Sequence, residues 1–74
     1  MSIRGARPPP YTLMDIGSGR LFRHKGTLIL EQYHDGAWTE LGRYGRPHEA
    51  ASALDERMGA GVASDHLRLR GTDD

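Results

Sequence analysis

Between residues 37 and 70 the chain reads as a strand, a sharp break, a proline-started helix, a glycine stop and a second strand. That order leaves few folds available. Trp38-Thr39-Glu40-Leu41-Gly42-Arg43-Tyr44 has strand composition, and Gly45-Arg46-Pro47 interrupts it. From Glu49 to Met58, apolar residues recur at helical spacing: Ala50, Ala51, Leu54 and Met58, with Val62 near the same stripe. Pro47 suits the first helical position and Glu49 complements the dipole of the first turn. Arg46 is a poor N-cap, since it offers no side-chain acceptor, which marks it as a candidate surface contact. Gly59 is the expected left-handed stop. Leu67-Arg68-Leu69-Arg70 then alternates like a half-buried strand.

Upstream, the pattern predicts a β meander. Residues 20–24 form a short strand, Lys25-Gly26 a tight turn, and residues 27–33 a second strand rich in apolar and β-branched side chains. Asp35-Gly36 is the strongest hairpin signal, because both positions of a type I′ turn need positive φ. With tight loops, Tyr33 faces Trp38, Glu31 faces Glu40 and Leu30 faces Leu41. Across the first hairpin Phe22 faces Ile29, Arg20 faces Glu31 and Leu21 faces Leu30. Strand alternation then places Leu21, Leu28, Leu30 and Leu41 under the helix. Phe22, Ile29, Tyr33, Trp38 and Tyr44 fall on the opposite face. Glu31 across from Glu40 counts against this register, and Arg20 beside Glu31 offsets part of that cost.

The expected fold class is α+β: a small antiparallel sheet of three or four strands in the order β-β-β-α-β, with one α-helix on one face. Residues 1–10 read as a Pro/Arg-rich arm, residues 11–70 as the single domain and residues 71–74 as an acidic tail. Residues 11–16 are a short segment of β character that could add a strand. A chain of 74 residues buries only about 60% of its unfolded surface, so its core is thin. It contains no cysteine, which rules out a disulfide framework and fits a reducing, cytoplasmic setting. No run approaches the roughly 20 apolar residues of a membrane span, and no apolar run follows Arg4 and Arg7 to make a signal peptide.

The net charge of zero conceals a split. Residues 1–30 hold Arg4, Arg7, Arg20, Arg23 and Lys25 against Asp15, while residues 31–74 hold five basic and nine acidic side chains. Bulk charge therefore does not make the chain a nucleic-acid glove, and electrostatic binding would have to come from a local patch. The four histidines, His24, His34, His48 and His66, are spaced 10, 14 and 18 residues apart, which matches no metal-ligand frame. No serine stands in a nucleophile elbow, and Gly17-Ser18-Gly19-Arg20 leads into a strand rather than a helix, so it makes no phosphate cradle. The expectation is a chain without catalysis, metal, cofactor or small-molecule substrate.

A single helix covers one sheet face and leaves the other open. That open face carries Phe22, Tyr33, Trp38 and Tyr44, with Arg20, Arg43, Arg46 and Arg68 as rim charges. Three readings of it compete. Tyr11, Leu13, Met14 and Ile16 could fold back over it as a second small core. Its aromatic and arginine composition suits a protein interface, with another protein, a nucleoprotein complex or a second copy. Stacked bases with arginine on phosphate would make it a nucleic-acid platform assisted by the basic arm. The stretch around Tyr44, Glu49-Ala50, Ala53-Leu54-Asp55 and Leu67 to Leu69 is similar to many small bacterial α+β modules. In size class the chain resembles small proteins of phages and mobile elements, anti-CRISPR inhibitors among them. That resemblance implies a compact inhibitor or adaptor that acts by blocking or bridging a larger complex.

Overall fold

The computed structural model describes residues 10–72; the expected arm, apart from Pro10, and Asp73-Asp74 of the expected tail lie outside the described residues. Strands β1 (Leu28–His34) and β2 (Ala37–Tyr44) form the expected hairpin. Asp35 and Gly36 have φ of 51° and 81°, the paired positive values of a type I′ turn. Strand β3 (Leu67–Gly71) pairs antiparallel with the other edge of β1, so the sheet order is β2-β1-β3. This is the small antiparallel α+β fold that the sequence predicts.

The hairpin register holds at Tyr33↔Trp38 and Glu31↔Glu40 and then slips. A bulge at Leu41 sets Leu30 opposite Gly42, Ile29 opposite Arg43 and Leu28 opposite Tyr44. One extra residue on one strand reverses the facing of everything beyond it. Tyr44 therefore turns to the helix side and packs against the core instead of joining the aromatic face. Gly42 accommodates this, because a Cβ there would lie 2.9 Å from the Tyr44 hydroxyl.

The strand expected over residues 20–24 is instead a 3₁₀ turn, Arg20–Arg23. A central strand has only two edges, and β2 and β3 occupy both edges of β1. The partners expected for Ile29 and Glu31 from that segment are replaced by Arg70 and Arg68 of β3. Leu21 still reaches the core, fully buried, from the 3₁₀ turn.

The segment expected to have β character also departs from that reading. Tyr11 alone bridges to Leu69, its N–H donating at 2.7 Å and its carbonyl accepting at 2.8 Å. Downstream the chain coils into helix α1 (Leu13–Gly17). There the Thr12 N–H donates to the Asp15 carboxylate at 2.7 Å, the reciprocal half of a capping box.

Helix α2 (Pro47–Gly59) begins at the expected proline, with Arg46 as an N-cap that supplies no side-chain bond. Its left-handed terminator is Gly61, φ 105°, not Gly59. The Val62 N–H reaches the Arg57 carbonyl and the Gly61 N–H the Met58 carbonyl, a Schellman motif. The motif also places Val62 against the core. Leu21, Leu28, Leu30, Ala50, Leu54, Leu67, Leu69 and Tyr11 form that core between helix and sheet. Burying each leucine contributes about 1.5–3 kcal/mol. No helix among the described residues is long and apolar enough to cross a membrane.

Candidate functional site

The sheet face away from α2 is built on alternate residues of the three strands. Central Ile29 has Arg43 and Arg70 as cross-strand neighbours, and Glu31 has Glu40 and Arg68. Ile29 is 1% exposed and Glu31 6%, so the face is not an open aromatic sheet. The long methylene stems of the arginines are the apolar material available to flank Ile29.

The like-charge pair at Glu31 and Glu40 is resolved by giving each carboxylate its own cations. Arg68 Nε donates to Glu31 Oε1 at 2.7 Å and Arg70 Nε to Oε2 at 3.2 Å. Arg43 grips Glu40 with Nε at 2.9 Å and Nη2 at 3.2 Å. The hydrogen bonds from Arg43, outweighing desolvation and helped by the charges of Arg43 and Arg70, hold the Glu40 carboxyl below its ordinary value. A carboxyl lowered in this way stabilises the fold above the ordinary carboxylate range. That contribution disappears as pH falls through the lowered folded value. Glu40→Gln should therefore flatten the acid limb of stability against pH below about 4.5, measured by urea unfolding from pH 6 to pH 3. The effect is small, because the pair is solvent-exposed.

Next to this charged layer lies the aromatic cluster. Arg68 stacks over the Trp38 ring, 4.1 Å from its centroid. Tyr33 meets the same ring edge-on at 5.4 Å and touches His66 at 5.8 Å. Beside Trp38 lies a groove of about 420 Å³, lined also by Leu67 and Arg68 of β3 and by Leu13 and Met14 of α1. Met14 is 82% exposed and Leu13 40%. The segment that could have covered the aromatic face is thus divided. Tyr11 and Ile16 pack into the helix-side core, while Leu13 and Met14 reach the Trp38 groove and stay accessible.

Of the expected partner-binding residues, only Tyr33, Trp38 and Arg68 come together here. Tyr44 belongs to the core side. Arg43 serves Glu40. Arg20 pairs with Asp15 at 3.3 Å and lies over Tyr11. Phe22 and Arg46 meet elsewhere, lining with Pro47, His48 and Glu49 a depression of about 630 Å³ at the start of α2. Phe22 there tilts against His48, with centroids 5.4 Å apart.

The sequence pointed Arg70 outward beside this face, but Glu31 as its centre and Arg70 as the second cation on Glu31 were missed. The alternation of Arg68 and Arg70 was the available signal, since two outward arginines on a strand beside a glutamate on the same face make a clamp. Leu13 and Met14 were candidates to cover the aromatic face, but their place in the Trp38 groove depends on helix α1, in a segment expected to have β character.

Among the described residues no group of three or more His, Cys, Asp or Glu could hold a metal ion. His24 Nδ1 lies 3.3 Å from the Tyr11 hydroxyl and its Nε2 is buried without a hydrogen-bond partner. Comparison with family models, with curated proteins and with solved structures finds no match for this chain.

Proposed function

We propose that this chain is a non-catalytic protein-binding module that occludes or bridges a larger cytoplasmic complex, with Trp38 as its anchor. The observation that carries the reading is the state of Trp38. Arg68 and Tyr33 pack against its indole, and it borders a groove that the accessible pair Leu13 and Met14 also line. A preorganised tryptophan with an arginine and a tyrosine beside it is the composition that dominates binding energy at protein interfaces. The resemblance in size to phage-encoded inhibitors agrees with action by obstruction.

A nucleic-acid platform is the weaker alternative. Arg68 lies over the indole and is engaged by Glu31, so a stacking base would have to displace a cation from both. On the protein-binding reading, generic single-stranded DNA or RNA binds no tighter than about 1 µM at 150 mM salt. Tighter binding, falling steeply with salt, would favour the alternative.

The direct test takes the partner captured from the native host by the tagged chain and measures its affinity for wild type and for Trp38→Ala. The substitution should cost about 2 kcal/mol or more, near 30-fold in Kd, with the circular dichroism spectrum retained. Unchanged affinity, or a variant unfolded at room temperature, would remove Trp38 from the interface and the reading with it.

A further inference from the structure

We infer that the Trp38 groove is self-complementary, and that in the absence of its partner it closes against a second copy of this chain. An isologous contact requires one patch to present both a projection and the recess that receives it. Met14, the most exposed of the large apolar side chains among the described residues, lines the same groove as Trp38. A two-fold axis at the groove seats each Met14 in the other copy's recess, removing two exposed methionines from water at once.

Charge follows the same symmetry. Asp65 and Arg68 both line the groove. The Asp65 carboxylate has no ion-pair partner among the described residues. Arg68 uses its Nε on Glu31, which leaves its terminal amino groups for a second carboxylate. Across the axis Asp65 of one copy meets Arg68 of the other, twice, and like charges are not opposed.

The patch is small, so the dimer is weak, with Kd of order 100 µM. Such an assembly masks the anchor in the free protein and yields to any partner that binds more tightly. This regulatory consequence rests on the Trp38 surface being the functional one; the dimer itself does not.

Sedimentation equilibrium should give a monomer at about 10 µM and mostly dimer at about 1 mM. Emission from the single tryptophan should shift to the blue over the same range. Met14→Glu should leave the fold intact, since that side chain is almost wholly in solvent, and keep the chain monomeric throughout with no spectral shift. Asp65→Lys should weaken dimerisation at least tenfold. A wild type still monomeric at about 1 mM, or a dimer indifferent to both substitutions, would overturn the inference. A monomeric chain whose Trp38→Ala variant still loses its partner would sink self-masking alone. A dimer whose Trp38→Ala variant keeps full partner affinity would sink the functional reading alone.

Discussion

Leu30→Ala is expected to lower unfolding stability by about 2–5 kcal/mol, the range for a buried leucine cut back to Cβ. Leu30 is 1% exposed on the central strand and belongs to the cluster shared by sheet and helix. A domain of this length has about 4–11 kcal/mol in total on the usual per-residue scale. The variant should therefore unfold partly at room temperature, or at a much lower urea midpoint. Leu54→Ala, 1% exposed from the helix side, should behave in the same way. Met14→Ala, by contrast, should stay within about 0.5 kcal/mol of wild type. A Leu30→Ala loss below about 1 kcal/mol would mean that the core is not the one described.

Where several local signals agreed, the sequence was a sound guide. Pro47, the Ala50-Leu54-Met58 stripe and the closing glycines gave α2 nearly to the residue, and the strand over residues 67–70 is in place. Asp35-Gly36 gave the turn and the first cross-strand pairs, because turn geometry acts only on its nearest neighbours. Four pairs farther on, that authority ended. The bulge at Leu41 has no marker in composition, since Leu41-Gly42 reads equally well in either register. Tyr44 was assigned to the wrong face as a direct result.

The N-terminal third failed for a different reason. Residues 20–24 have acceptable strand composition, yet strand status depends on a free edge, and the competition for β1 is settled by residues more than 40 positions away. Thr12 and Asp15 stand at capping-box spacing, a helix-start signal that the β character of residues 11–16 obscures. For the candidate site, the aromatic pair Tyr33 and Trp38 was readable from the hairpin. The groove was not, because it joins α1 to the start of β3, and only the tertiary fold brings those together.

The second large effect concerns the clamp on Glu31. Its side chain is 8% exposed, that of Arg68 26% and that of Arg70 46%. Arg68→Ala with Arg70→Ala should cost about 3–5 kcal/mol, since the pair of changes leaves a buried carboxylate with no cation. Most of that belongs to Arg68, whose bond is shorter and better shielded, because a half-exposed arginine contributes little. The cost is not a measure of how much the clamp stabilises the fold. A buried ion cluster recovers its own desolvation and little more. Adding Glu31→Ile to the double variant should therefore restore most of the lost stability, leaving a second β-compatible apolar residue beside Ile29. Urea unfolding of the three proteins decides the matter. If the triple variant is as unstable as the double, the clamp is a net source of stability. If it recovers, the charges are retained for what they hold in place, which is the guanidinium of Arg68 over the indole of Trp38. In that case the recovered fold should still lose partner affinity to the same degree as Trp38→Ala. Stability and binding would then be separable in one set of variants.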